Sequence, residues 1–180
     1  PLVRASRAAS SSGLPAAGSK ASIKARTWDS GMAPVTGWQA VHVCVDDTSR
    51  MAYVEVLPDE KGPTAVGFLE RAVAWFAERG VTIERVMTDN GSPYLSTLWA
   101  TWCADHDVRH LRTRPYRPRT NGKAERFIQT MLREWAYAAT YQNDEHRTTA
   151  LTPWLEYYNH KRPHSALGHK TPASRLTEAD

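Results

Sequence analysis

The chain has 180 residues, of which 41% are hydrophobic and 23% are charged, and its formal net charge at pH 7 is +4. These values are typical of one folded globular domain, and no apolar run approaches the length of a membrane-spanning helix. The only cysteines, Cys44 and Cys103, exclude a disulfide framework and favour two buried thiols in a reducing, cytoplasmic compartment.

The first part of the chain differs in composition from the rest. Residues 1–28 are rich in Ala, Ser and Gly, and they carry five cations and no acid. We predict a disordered or linker tail over 1–28, with a degraded first strand near 20–28, followed by a core domain over 29–180. The tail accounts for the positive net charge, because the remaining residues are close to neutral.

A hairpin and a helix are the first elements that the core pattern predicts. Two strand-like runs, residues 38–45 and 51–57, flank a short polar turn, which indicates a β-hairpin. Pro63 then precedes apolar residues at helical spacing, and Gly80 follows them, so we expect a helix between the two.

The rest of the chain alternates between strand and helix patterns. The apolar run 81–88 predicts a strand, which is followed by a helix near 95–106 and a short strand near 108–111. Two further helices are expected near 122–141 and 147–158. A hairpin followed by this alternation predicts an α/β fold in which helices flank a mixed sheet.

Asp89 and Glu125 are the most informative residues of this pattern, with 35 residues between them. Each has an ordinary structural explanation, because Asp in Asp-Asn-Gly favours a turn and a first-turn Glu complements the helix dipole. However, ligands bind at the carboxyl ends of strands in open α/β sheets, and Asp89 stands at such an end. One α/β unit and a basic loop separate the pair, which predicts a divalent cation shared beside a phosphodiester.

Residues 109–126 concentrate seven cations around a single acid, Glu125. A run of charges usually forms a solvated face. This run is built mainly from Arg, is interrupted by prolines and leads to a carboxylate, so it predicts a phosphate-binding rim. The candidate DNA-binding residues are Arg114, Arg117, Arg119, Lys123 and Arg126.

Four pieces of the sequence, in this order, carry a family resemblance. They are Val45-Asp46-Asp47-Thr48-Ser49-Arg50, Thr88-Asp89-Asn90-Gly91-Ser92, the segment from Arg114 to Phe127, and Tyr158-Asn159-His160-Lys161-Arg162-Pro163-His164. The set resembles the catalytic core of the DDE transposases of bacterial insertion sequences, relatives of retroviral integrases with a ribonuclease H-like fold. The likeness extends from about residue 37 to residue 176.

The resemblance implies a polynucleotidyl transferase that works with two Mg²⁺ ions, or with Mn²⁺ in their place. Three carboxylates hold the metal in this family, and the likeness makes Asp89 the second and Glu125 the third. It also implies a homo-oligomer that assembles on DNA, both on the element ends and on the target, and no membrane partner.

The first carboxylate of the family pattern is where this sequence departs from it. Ser22, in Ser22-Ile23-Lys24, stands where the family places an Asp. Asp29 is the acid available ahead of the hairpin, although a loop position before Ser30-Gly31 explains it better. The likeness assigns Asp46 to the hairpin turn, outside the metal site.

Two other functions therefore stay open beside DNA strand transfer. If the first ligand is missing, the chain would be a catalytically inactive, DNA-binding remnant of a transposase. A ribonuclease H-type nuclease would share the fold and the metals but would cleave RNA–DNA hybrids without joining strands.

Overall fold

The structure is a computed structural model, and it describes residues 19–26, 36–113 and 122–177. The strands are β1 (Ser19–Arg26), β2 (Thr36–Val45), β3 (Ala52–Leu57), β4 (Arg85–Thr88) and β5 (Arg109–Arg112). The helices are α1 (Gly62–Ala77), α2 (Thr97–Asp105), α3 (Gly122–Met131), α4 (Asp144–Thr149), α5 (Leu151–His160) and α6 (Pro172–Thr177). This mixture of strands and helices confirms the predicted α/β class.

The described strands form two groups. β1, β2 and β3 make an antiparallel sheet in that order, and β4 pairs with β5 in parallel. The predicted hairpin is therefore present as β2 and β3, and the strand expected near 20–28 is β1. Ser22 of β1 lies opposite Ala40 of β2. Because β1 is an edge strand of this sheet, it does not need the continuous apolar pattern of a central one.

Side chains on both faces of β2 are buried. Val41, Val43 and Val45 belong to one hydrophobic cluster, whereas Cys44 belongs to another. Alternate residues of a strand point to opposite faces, so this assignment means that the hairpin sheet is covered on both sides. A strand that is covered on both faces reads as a nearly continuous apolar run, as residues 40–45 do.

The first cluster lies between the sheet and helices α1 and α2. Phe68, Leu69 and Phe76 of α1 are at most 2% exposed and pack there with Trp99 of α2. Their spacing along α1 is the periodicity that predicted the helix, and Pro63 lies at its start as expected. Cys103 is in the same cluster, so the prediction of two buried thiols is confirmed.

The second cluster covers the opposite face of the sheet. Phe127 and Met131 of α3 and Trp135, which follows α3, are fully buried against the β2 valines. Leu151 and Tyr158 of α5 complete this layer. The sheet is thus sandwiched between α1 and α2 on one side and α3 and α5 on the other.

Two predicted helix lengths were wrong. The helix expected over 122–141 is α-helical only to Met131 and continues as a π-helical turn over Leu132–Ala136. The helix expected over 147–158 is two helices, α4 and α5, which meet at Ala150. Pro153 explains this break, because it has no N–H to donate to the carbonyl four residues earlier and its ring clashes there.

The helices of the described part are short, and the longest of them, α1, has 16 residues. None of those within 19–26, 36–113 and 122–177 is both long enough and apolar enough to cross a membrane.

Candidate functional site

Asp89 follows directly on β4, at the carboxyl end of the parallel β4–β5 pair. Its Oδ1 accepts a hydrogen bond from the Gly91 N–H at 2.8 Å, which closes a tight turn. The Asn90 side chain donates to the Thr113 carbonyl at 3.1 Å and ties this turn to the end of β5. The predicted strand-end position of Asp89 is therefore where the structure has it, although the strand is shorter than the run 81–88.

Gly91 allows the chain to pass close to the Asp89 carboxylate. A Cβ atom at residue 91 would lie 3.0 Å from Asp89 Oδ1, closer than nearly all carbon contacts in folded proteins. The backbone at Gly91 has φ −60°, which any residue adopts, so this close contact and not backbone strain is what a larger residue would meet.

Thr88, immediately before Asp89, is completely buried and anchors the strand end. Its hydroxyl donates to the Asp89 carbonyl at 2.8 Å and lies 2.8 Å from Nε2 of His110 on β5. Burial, and then the positive charge of Arg112, lowers the pKa of His110 from its ordinary 6.5 to about 4. A neutral imidazole thus supports the backbone that carries Asp89.

This histidine predicts a loss of stability in mild acid. The unfolded chain takes up a proton near pH 6.5, whereas the folded chain does so only near pH 4. The contribution of the neutral His110 to stability is therefore fully present above pH 6.5, and it is lost as the pH falls from 6.5 toward 4. Allowing for solvent screening of a partly exposed ring, we expect the free energy of unfolding to fall by about 1–2 kcal/mol.

Urea unfolding at pH 7.0, 5.5 and 4.5 measures this effect, with His110→Gln as the matched variant that cannot titrate. The variant should lose the His110 contribution to the pH dependence. An equal fall in stability for both proteins would assign the pH dependence to other groups.

Glu125 lies in the first turn of α3 and is exposed. Helical spacing puts Glu125 in line with Ile128 and Leu132, the apolar residues three and seven positions after it. Those two residues are only partly buried, at the margin of the second cluster, and the fully buried row is Phe127 and Met131. Glu125 therefore stands at the edge of the packing face and open to solvent.

The candidates for a first carboxylate differ in how the structure uses them. Asp46 is 2% exposed, and its Oδ2 accepts from the backbone N–H of Ser49 at 2.8 Å and from its hydroxyl at 2.6 Å. It therefore holds the hairpin turn, as the resemblance implied. Ser22 is in β1, and Asp29 lies outside the described residues. Within the described residues, no three His, Cys, Asp or Glu side chains are grouped to hold a metal ion.

The predicted basic residues fall into two sets. Arg114, Arg117 and Arg119 lie outside the described residues. Lys123 and Arg126 are in α3 and line the same cavity, of about 470 Å³. The Lys123 ammonium is 2.6 Å from Asp47 Oδ1 in the hairpin turn.

Two further cations of this cavity are not among the predicted DNA-binding residues. Arg50 comes from the hairpin turn, and Arg162 comes from the segment after α5. Both lie in pieces of sequence that carry the family resemblance. That resemblance was the available signal that these two residues could be functional. Their distance along the chain from Lys123 concealed that they would meet it.

Comparison with known families matches most of the chain. The model described as "Integrase core domain" matches residues 23–118, and a second model of the same description matches residues 106–172. The first segment contains Asp89 and the second contains Glu125, so both candidate acids lie inside matched regions.

Curated relatives include viral and mobile-element proteins. The chain is 30% identical over 153 residues to "Uncharacterized protein K02A2.6" of Caenorhabditis elegans, covering 78% of this chain and 12% of that protein. It is 26% identical over 149 residues to the putative integrase ORF3 of Spiroplasma virus SpV1-C74, covering 76% and 41%. It is 28% identical over 131 residues to the 39.2 kDa protein of insertion element IS476 of Xanthomonas euvesicatoria, covering 72% and 36%. The chain thus spans less than half the length of each of these relatives.

Solved structures with the same fold include retroviral integrase cores. The integrase catalytic core domain of HTLV-2, solved in complex with magnesium, superposes with a TM-score of 0.64 at 17% identity, covering 97% of this chain and 94% of that one. The BIV integrase catalytic core domain gives a TM-score of 0.63 at 17% identity, covering 99% and 94%. These likenesses identify the fold as ribonuclease H-like, which confirms the predicted fold. Because the integrase core domain model matches more than half of this chain, residues 23–118 of 180, the chain belongs to the integrase core domain family.

Proposed function

We propose that this chain is the core of an enzyme that cuts and joins DNA strands in transposition or integration. The observation that carries the proposal is the pair of acids in the two matched regions. Asp89 follows strand β4 at its carboxyl end, and Glu125 stands in the first turn of α3 and is open to solvent. The viral and insertion-element relatives support the same reading.

The chemistry of Asp89 and Glu125 fits a divalent cation. Carboxylate oxygens are hard donors, and Mg²⁺ commonly uses one or two protein carboxylates together with waters and substrate phosphates. The magnesium bound to the HTLV-2 core supports a divalent metal here as well. We propose that Asp89 and Glu125 hold Mg²⁺, as two ions in the working complex, and that Mn²⁺ can replace it. Bound metal of this kind activates an attacking water or 3′-hydroxyl and stabilises the leaving oxygen.

The protein's own part is to hold its two carboxylates and the DNA in fixed positions. The hydrogen bond from Gly91 and the contact of Asn90 with Thr113 keep the Asp89 turn rigid. The first turn of a helix is a favourable place for the Glu125 carboxylate. The basic residues Lys123 and Arg126 are within one turn of Glu125, so they are suited to bind the phosphates beside it.

We also propose that the chain acts as an oligomer on DNA. A simian T-cell lymphotropic virus intasome has the same fold with a TM-score of 0.70 at 21% identity, covering 97% of this chain and 53% of that one. The HTLV-2 core was solved in dimeric and trimeric forms. These assemblies support a homo-oligomer that brings element ends and target DNA together.

Two observations favour a second candidate, a DNA-binding protein that does not cleave. The described residues contain no group of three potential metal ligands, and Ser22 stands where the family resemblance calls for the first carboxylate. Such a protein would bind DNA in a salt-dependent way and leave it intact.

Incubation of the full chain with labelled element-end DNA and Mg²⁺ separates these candidates. We expect nicked and joined products that disappear with EDTA. DNA binding without any product would favour the second candidate, and a gain of products in Ser22→Asp would attribute the defect to the missing carboxylate. Cleavage of RNA–DNA hybrids without joining would instead indicate a ribonuclease H-type nuclease.

A further inference from the structure

A cavity of about 470 Å³ lies where three distant parts of the chain meet. Arg50 comes from the β2–β3 hairpin turn, Lys123 and Arg126 come from the first turns of α3, and Arg162 and His164 come from the segment after α5. None of the described residues that line it is an Asp or a Glu. Four permanent cations therefore surround a space large enough for a phosphate group and its waters.

The positive charge of the cavity is only partly neutralised by neighbouring carboxylates. Asp47 lies 2.6 Å from Lys123 and 4.0 Å from Arg50, and Glu134 forms a two-pronged pair with Arg162 at 2.7 and 2.8 Å. These two carboxylates orient three of the four cations. Arg126 forms no ion pair with any described residue, so its guanidinium is available to an anion.

His164 adds a polar atom that lacks a partner. Its Nε2 is buried and forms no hydrogen bond within the described residues. The ring is held edge-on against Tyr158, with centroids 4.7 Å apart, and burial next to Arg162 lowers the pKa of His164. Unsatisfied buried polar atoms are uncommon in folded proteins, so this one suggests a ligand or water in the cavity.

The backbone around the cavity also adopts costly conformations. Arg50 has φ +65° and His169, which lines the same cavity, has φ +64°. These are two of the three non-glycine residues with positive φ in the described part of the chain. Glycine would avoid the strain of this region, and such strain commonly marks sites where a side chain is needed for binding.

A second basic cavity, of about 260 Å³, adjoins the first. It is lined by Thr48, Lys170 and Arg175, and it shares Arg50 and Ala166 with the larger cavity. Arg50 thus stands at the junction of two cation-lined spaces. A continuous path of this kind suits a ligand with several phosphates in a row better than it suits a single small anion.

We propose that the two cavities form a phosphate track that binds the backbone of a DNA strand, with Arg50 at its centre. The proposal rests on the proposed function for its choice of DNA. Residues of an α-helix are about 100° apart around the axis, so Glu125 is turned away from Arg126, which lines the track. The track therefore runs beside Glu125 and positions the DNA, and it does not include this carboxylate.

The test is the affinity of the full chain for a fluorescent DNA duplex, measured by anisotropy in EDTA at several salt concentrations. Arg50→Gly and Arg126→Ala should each weaken binding by roughly tenfold, and each should reduce the slope of log affinity against log salt by about one. Arg50→Gly should leave the melting temperature unchanged or raise it, because glycine adopts a positive φ without strain. A loss of DNA binding in this variant can then not be attributed to unfolding.

Lys61→Ala is the matched control, since it removes one charge from an exposed side chain at the start of α1, outside both cavities. It should leave affinity nearly unchanged. Wild-type affinity and salt slope in Arg50→Gly and Arg126→Ala would overturn the proposal, as would an equal loss in Lys61→Ala. If inorganic pyrophosphate raises the melting temperature in an Arg126-dependent way but DNA affinity is unaffected, the track binds small phosphates and the choice of DNA is wrong.

Because the measurement is made in EDTA, it is independent of catalysis. If Arg50→Gly weakens DNA binding while no strand cleavage is ever found with Mg²⁺, the track stands and the proposed enzyme activity fails. If cleavage is found but the variants bind normally, the activity stands and the track fails.

Discussion

Replacing Asp89 with Asn should lower Mg²⁺-dependent strand cleavage by roughly a thousandfold or more, because the metal loses a charged ligand. The fold should survive, since the Asn side-chain oxygen can still accept the hydrogen bond from Gly91 that closes the turn. Glu125→Gln should lower cleavage to a similar extent, because it also removes a charged ligand. The fold of this variant should survive as well, because Glu125 is exposed and contributes little to packing. Both variants should also bind Mn²⁺ more weakly, measured by the EPR signal of the free ion.

Glu78→Gln is the control for this experiment, because it removes one exposed negative charge at the end of α1. It should retain wild-type activity and Mn²⁺ affinity. Normal Mn²⁺ affinity and normal cleavage in Asp89→Asn would show that this carboxylate is not a metal ligand. The metal measurement gives an answer even for a chain whose cleavage is slow.

Replacing Asn159 with Ala should lower the free energy of unfolding by about 2–4 kcal/mol, as two buried backbone groups lose their partners. The Asn159 side chain, on α5, accepts from the Ala52 N–H at 2.9 Å and donates to the Ala52 carbonyl at 2.8 Å. Both residues are at most 1% exposed, so water cannot replace these bonds. They fasten α5 to the first residue of β3.

Urea unfolding measures the effect, and His160→Ala is the neighbouring control, since His160 is exposed and should change stability by less than about 0.5 kcal/mol. Asn159→Asp tests the geometry: its carboxylate can still accept from the Ala52 N–H, but it would face the Ala52 carbonyl without a proton to donate. We expect it to be at least as destabilising as Ala. A loss below about 1 kcal/mol in both variants would mean that the two bonds contribute little.

Much of the local structure could be predicted from residue patterns. Pro63 and the apolar spacing after it predicted α1, and the turn at Asp89 predicted the end of β4. Helix starts and turns depend on interactions between residues close together in the chain. A short stretch of sequence is therefore enough to predict them. The break between α4 and α5 also had a local signal, Pro153, which interrupts the helical hydrogen bonds, but the prediction followed the apolar spacing that continues across Ala150.

The extent of α3 shows the limit of periodicity. Apolar residues recur at helical spacing through Trp135, and this predicted a helix to residue 141. Instead, the chain widens into a π-helical turn after Met131, the Trp135 ring N–H donates to the Arg147 carbonyl, and the Tyr141 hydroxyl donates to the Trp135 carbonyl. These contacts come from tertiary packing, so the apolar pattern of the helix alone could not reveal them.

The sequence by itself determined the fold class, the family, the hairpin and the local positions of Asp89 and Glu125, because each depends on order and spacing along the chain. Only the tertiary structure decided that β2 is covered on both faces and that Glu125 lies at the margin of its helix face. It alone also brought Arg50, Lys123 and Arg162 to one cavity. The physical reason is that a residue pattern fixes which side of an element is apolar, whereas the packing of one element on another fixes which polar residues meet.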